Sequence, residues 1–234
     1  MCNHRYRTGL LRGILFFSVL ALFFSCAQGS PEIEGTSVQL VRIQGPAGLF
    51  SERLSVFVFF DDSDGTTDFN SITLTHNDTG LTWTILPENT QVRLLGKDRW
   101  LGSNSLAGPG EELIPAGSYT LTVSDLAGNE AVKTFEITRP EFPEYAPVSF
   151  SIEDGNWTLV RNAATPGFTR TYLFLLSGQS DVLFSWLVPD GTDGQTTGTV
   201  ASLQSMARKA VQVQCYTAND DGSAGVLLTP VDLQ

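Results

Sequence analysis

The chain has 234 residues and a formal charge of −11, from 25 acidic and 14 basic side chains. That balance is poorly suited to phosphate backbones, so nucleic-acid binding is not expected. With only 2 histidines and 3 cysteines, the chain is poorly supplied for a Ser-His-Asp or Cys-His enzyme, for a His-built zinc site and for a disulfide framework.

The first predicted element is a leader. Arg5, Arg7 and Arg12 precede any acidic residue, Ile14 to Phe24 is apolar except for Ser18, and the small residues Ser25 and Ala27 flank Cys26. This is the layout of a secretory signal peptide, and the apolar run is short for a membrane span. Cleavage before Cys26 makes residues 1–25 the signal peptide. The alternative is an ordinary signal peptide cut at Ala27 or Gly29, which discards Cys26. Loss of residues 1–25 removes three arginines and no acid, so −11 becomes −14. An acidic body of that kind does not bind anionic lipid surfaces by charge.

Residues 26–35 read as a short polar tether. The spacing then has period two, which predicts strands with one buried and one wet face. Leu54, Val56, Val58 and Phe60 alternate with Ser55, Phe57 and Phe59. Ile72 and Leu74 lead to Asn77-Asp-Thr-Gly80, a hairpin turn, and then to Leu81, Trp83 and Ile85. Between Gln91 and Pro115 the pattern weakens toward short strands and loops. Tyr119, Leu121 and Val123 alternate with Ser118, Thr120 and Thr122, and Asp125 to Asn129 supply a turn. These elements define a first domain over 36–138. Arg139-Pro-Glu-Phe-Pro-Glu-Tyr-Ala-Pro147 is a stiff linker over 139–147, because proline neither donates to a ladder nor leaves its predecessor free. A second domain covers 148–234. Val148, Phe150 and Ile152 open it. Tyr172–Leu176 and Val182–Val188 form a hairpin, apolar on both faces, which predicts two central strands. Val200 to Arg208 fits a short helix or an edge strand. Val211 to Leu233 reads as strand, turn and strand. The expected fold class is all-β, with two tandem antiparallel β-sandwiches.

Three stretches resemble known families. Phe23-Phe24-Ser25-Cys26 resembles a relaxed lipobox of bacterial lipoproteins, with Phe23 and Phe24 departing from the usual pattern. The resemblance implies that Cys26 carries lipid and anchors the chain to a bacterial cell envelope, the outer membrane being favoured. Two or more acyl chains give stable anchoring where one is marginal. Pro115 to Ile137 resembles the last two strands of bacterial immunoglobulin-like domains, with Tyr119 as the tyrosine that pins the corner. Val211 to Val231 is similar to the closing hairpin of a fibronectin type III sandwich. The implied function is a binding or structural module for an envelope or surface partner, protein or glycan. The alternatives are a carbohydrate-binding module and a hydrolase using acidic residues.

Few other residues suggest chemistry. Asp61, Asp62, Asp64 and Asp68 form the densest acidic cluster and are weak calcium candidates. They fail the EF-hand template, with Phe60 and Ser71 at its end positions, and a solvated loop is the simpler reading. His76, beside a turn, reads as a partly exposed structural residue. Cys215 shares a strand face with Val211 and Val213 and reads as a buried, inert thiol. Trp83 and Trp186 share apolar faces and belong to cores. Trp100, in a Gly-rich region, is the tryptophan to test for an exposed sugar-stacking face. No catalytic residue and no cofactor are expected.

Overall fold

A computed structural model describes residues 29–45, 48–61, 68–111, 113–165 and 167–233. The first half forms β1 (Glu32–Gln44), β2 (Phe50–Asp61), β3 (Phe69–His76), β4 (Thr82–Ile85), β5 (Gln91–Leu95), β6 (Asp98–Leu106), β7 (Gly117–Asp125) and β8 (Glu130–Ile137). Strands β1, β2, β6 and β5 lie side by side, and β4, β3, β7 and β8 form a separate four-stranded sheet. Period-two patterning drives this arrangement. On β3 and β7 alternate residues are buried, and the register sets Ile72 against Val123, Leu74 against Leu121 and His76 against Tyr119. Their inner faces meet Leu54, Val56, Val58 and Leu101 in one cluster. Each fully buried aliphatic side chain contributes roughly 1.5–3 kcal/mol. This is the strand order of an immunoglobulin-like sandwich.

The second half repeats the architecture with β9 (Val148–Glu153), β10 (Asn156–Arg161), β11 (Arg170–Leu176), β12 (Val182–Leu187) and β13 (Gln195–Thr199). It closes with helix α1 (Val200–Met206), β14 (Gln212–Ala218), β15 (Ala224–Leu227) and β16 (Val231–Asp232). One sheet runs β13-β10-β9 and the other β12-β11-β14-β15, with β16 also on β14. Trp157, Leu159, Leu173, Leu175, Val213 and Cys215 are among the side chains buried between them.

Several expectations need correcting. Glu32 to Gly35, read as tether, already belong to β1, with Ile33 opposite Phe60 and Gly35 opposite Phe59. The stretch after Gln91 holds a nine-residue strand, β6. Alternation fails where β6 shifts register against β2, between Ser103 and Leu106, and Gly102 sits so close to β2 that an added Cβ would lie 2.0 Å from the Val56 carbonyl oxygen. The open choice at Val200 resolves as a helix: the Thr199 side chain accepts from the Ser202 N–H, and Val200 and Leu203 are buried. Strand β11 is central, but β12 is an edge strand and leaves Val182, Leu183, Phe184 and Leu187 exposed. Apolarity on both faces therefore does not mark a central position here.

The arrangement that the sequence does not announce is the junction. β15 pairs in parallel with β1, Leu40 against Ala224 through Ile43 against Leu227. One nine-stranded sheet thus runs through both halves. The Leu40 N–H donates to the Ser223 carbonyl at 2.8 Å, and Thr229 Oγ1 donates to the Gln44 carbonyl at 3.1 Å. Phe142, in the proline-rich stretch, packs against both hydrophobic clusters.

Beside that junction lies a buried ion cluster. Glu52 on β2 is 3% exposed. Its carboxylate pairs with Arg139 and, at 3.4 Å, with Arg42, and it accepts from the Ile114 N–H at 3.3 Å. Arg139 also donates to the Ile114 carbonyl at 2.9 Å, and Arg42 to the Pro143 carbonyl at 3.3 Å. The Arg42 guanidinium lies 4.5 Å from the Phe142 ring centre. One carboxylate thereby ties β1, β2, the Ile114 turn and the start of the connecting stretch together.

The tyrosine corner is present. Tyr119 donates from its hydroxyl to the Pro115 carbonyl at 2.6 Å. Burial pushes the Tyr119 hydroxyl from 10.0 to about 12, and the Cys215 thiol from 9.0 to about 12. Both folded values lie above the unfolded ones. The stability they contribute is complete below pH 9.0 and is lost as pH rises through about 12. A melting series should therefore be level to pH 9.0 on this account and decline toward pH 12. Tyr119→Phe should cost about 1 kcal/mol at neutral pH and make the alkaline decline shallower. An unchanged alkaline slope would remove Tyr119 from this account.

Candidate functional site

The outer face of the long sheet carries a concave groove of about 560 Å³, within the usual range of small-molecule sites. It lies where the two sandwiches join. β1 and β15 run beneath it. β2, β5 and β6 supply Arg53, Ser55, Arg93 and Asn104 on one side, and β11 and β14 supply Arg170, Tyr172, Phe174 and Tyr216 on the other.

Strand alternation aims these side chains. On β1 the inward set includes Leu40 and Arg42, so Gln39, Val41 and Ile43 face outward. On β11 Leu173 and Leu175 enter the core, leaving Arg170, Tyr172 and Phe174 outside. Cys215 turns inward on β14, and Tyr216 turns out. The three rings form one aromatic wall. Phe174 and Tyr216 stack at 5.8 Å and 16°, and Tyr172 stands 6.1 Å from Tyr216. Tyr216 lies on Gly225 of β15, where an added Cβ would come within 2.3 Å of the ring. The glycine is what lets the ring lie down on the sheet.

Arginines flank this wall from both sides of the groove. Arg93 lies with its guanidinium carbon 3.7 Å from the centre of the Phe57 ring and donates to Ser55 Oγ at 3.3 Å. Partial burial lowers the Arg93 pKa, with the charge of Tyr216 opposing that shift. Arg170 donates to the Tyr172 hydroxyl at 2.8 Å. The Gln39 amide donates to the Gly222 carbonyl at 2.8 Å. The Tyr216 hydroxyl is buried beside the Gln39 amide, which approaches it without full hydrogen-bond geometry; burial pushes it up to about 12. No Asp or Glu lines the groove among the described residues. Positive lining in a chain of net charge −11 focuses attraction on anions at that spot.

The residues singled out from sequence are spread elsewhere. Cys26, Asp62 and Asp64 lie outside the described residues. Asp61 is exposed at the end of β2, and Asp68 precedes β3. Among the described residues no group of three or more His, Cys, Asp or Glu side chains is placed to hold a metal ion. His76 is structural but buried rather than partly exposed, at 3%. Its Nδ1 bonds Thr79 Oγ1 at 2.8 Å and its Nε2 bonds the Ala116 carbonyl at 3.1 Å. Cys215 is buried and borders a second cavity of about 350 Å³, lined also by Gln44 of β1, Ala146 and Phe150. A thiol with its pKa near 12 stays protonated and unreactive at neutral pH. Trp83 and Trp186 pack partly buried against the two cores. Trp100 is half-buried against Gly35 and Phe59 on the outer sheet face, so it is not a free platform.

The groove itself was missed. Its only local signal was Arg170-x-Tyr172-x-Phe174 at period two, which reads equally as a second apolar face. Its other side comes from β2, β5 and β6, where even Arg93 lies 77 positions before Arg170.

No protein-family model matches the chain, and no curated protein matches it. Three solved structures show distant likeness. Tp47, the 47-kilodalton lipoprotein of Treponema pallidum, aligns over 89% of this chain and 52% of its own, at 11% identity and a TM-score of 0.37. Dimeric latent PorU from Porphyromonas gingivalis aligns over 86% and 20%, at 14% identity and 0.32. Murine CEACAM1b aligns over 86% and 99%, at 11% identity and 0.25. The chain thus spans about half of Tp47 and a fifth of PorU. The class stated here, an all-β protein of immunoglobulin-like sandwiches, follows from strand order and register.

Proposed function

We propose that the chain is a lipid-anchored protein of the bacterial cell envelope that works as a binding module. The observation that carries the binding reading is the groove, whose two sides come from different sandwiches and converge only because β15 joins β1. A purely architectural role needs no such concave, charged and aromatic surface. Hydrolysis by paired carboxylates has no seat in the groove, where the described lining holds none. The carbohydrate-binding alternative gains support in altered form, with Tyr172, Phe174 and Tyr216 in the place first considered for Trp100.

Anchoring is proposed from the leader alone. Cys26 would carry the lipid, with the outer membrane as the favoured location. The partner would be an envelope protein or a glycan. Intact-mass measurement of the mature protein should show a lipid-modified Cys26 at its N-terminus. Cys26→Ala should abolish that mass addition and release the protein from the membrane fraction. An unmodified N-terminus downstream of Cys26 would remove the anchor and leave a secreted chain. Protease accessibility on intact cells then separates surface from periplasmic exposure.

A further inference from the structure

We infer that the groove across the sandwich junction binds a short acidic saccharide, its anionic group held by Arg93 and Arg170 and its ring laid against Tyr172, Phe174 and Tyr216. This rests on the binding-module reading and names the ligand class for the same site.

Three observations converge. The first is charge. Arg93 and Arg170 line the groove without a carboxylate among the described lining residues. Arg93 and Arg170 come from β5 and β11, in different sandwiches, yet line the same groove as Tyr216. A planar guanidinium matches a carboxylate or phosphate in two-point geometry. Arg93 is held in place by Phe57 and Ser55, and Arg170 by the Tyr172 hydroxyl, so less side-chain freedom is lost when an anion binds.

The second is the aromatic wall. Its rings are braced against one another and against Gly225. Such amphipathic rings offer apolar area and a polar tip in one rigid unit. Around them stand neutral hydrogen-bonding groups, Gln39, Ser55, Asn104 and Ser185. The Tyr216 hydroxyl is buried with the Gln39 amide beside it but not at full hydrogen-bond geometry, so it retains capacity for a ligand hydroxyl. A ligand bearing several hydroxyls as well as a negative charge uses all of these groups. A bare inorganic anion uses the arginines alone.

The third is placement. The groove lies on the face of the sheet, and the edge strands β5 and β12 reach it only through the side chains of Arg93 and Ser185. A peptide captured by strand addition needs an edge with open N–H and C=O groups. β1 and β15 already spend theirs on each other and on β2 and β14. A compact ligand with its own polar groups fits this face better than an acidic peptide.

The test uses full-length protein in detergent on an array of uronic-acid-bearing and phosphorylated oligosaccharides, neutral oligosaccharides of the same lengths and an acidic peptide. Acidic saccharides should be retained and neutral ones not. Arg170→Glu, at an exposed position, should weaken retention by about tenfold or more without changing the melting temperature. Arg93→Gln should act in the same direction, and raised salt should weaken retention in the wild type. Compared at equal ionic strength, inorganic phosphate should compete more weakly than the acidic saccharide; equal competition would mean that the arginines alone make the site. Retention of neutral saccharides only, indifferent to Arg170→Glu, overturns the ligand class and leaves the binding module standing. Preferential retention of the peptide overturns the saccharide. Retention of none overturns the groove as a ligand site, while lipidation of Cys26 is read separately by mass.

Discussion

Glu52→Ala is expected to cost about 3–5 kcal/mol, the range for breaking a buried ion pair by removing one partner. The substitution leaves Arg139 and Arg42 without their shared carboxylate and the Ile114 N–H without its acceptor. Melting followed by circular dichroism should fall by on the order of 10 °C, given the size of the chain. Glu52→Gln keeps the shape and some hydrogen bonding, so it should lie between the two. The wild type should melt in one transition, because the β1–β15 ladder and the Phe142 contacts span both cores. A loss below about 1 kcal/mol, the level of an exposed pair, would show that the cluster does not hold the junction.

Gly102→Ala should cost about 1–3 kcal/mol, the usual range for overpacking. The added Cβ would sit 2.0 Å from the Val56 carbonyl oxygen and 2.7 Å from the Phe57 Cα. Both are backbone atoms, so no side chain can rotate away. β6 must move off β2, and with it Leu101, which is buried in the first core. Gly178→Ala is the matched control: its Cβ would meet only the Val211 side chain at 3.9 Å and should stay within about 0.5 kcal/mol of wild type. Equal melting temperatures for the two variants would mean that β6 is free to shift.

How much was legible follows from the range of each interaction. Tyr119 was readable as a corner residue because its acceptor, Pro115, lies four positions upstream. Asp125 to Asn129 was readable as a turn for the same reason, and the Asn129 N–H indeed donates to Asp125 Oδ1 at 2.8 Å. His76 was placed correctly as structural, but its burial depends on Ala116, which is 40 residues away. The edge position of β12 was misread because sequence shows what a strand's faces are made of and not what lies beside it. The groove was hidden twice over. Its arginines look like ordinary surface charges in an acidic chain, and its aromatics look like a second core face.

Local chemistry alone therefore determined the strands, most of their turns, the all-β class and the corner at Tyr119. These rest on side-chain alternation and short-range hydrogen bonds, which any window of a few residues displays. Tertiary structure decided that the two sandwiches share one sheet, that Glu52 is buried between Arg42 and Arg139, and that Arg93, Arg170 and Tyr216 line one groove. The parallel pairing of β1 with β15 joins residues separated by 184 positions, Leu40 and Ala224. No local propensity encodes such a contact. It forms because β1 has an edge left open by β2, β15 has one left open by β14, and backbone N–H and C=O groups at a buried junction must find partners.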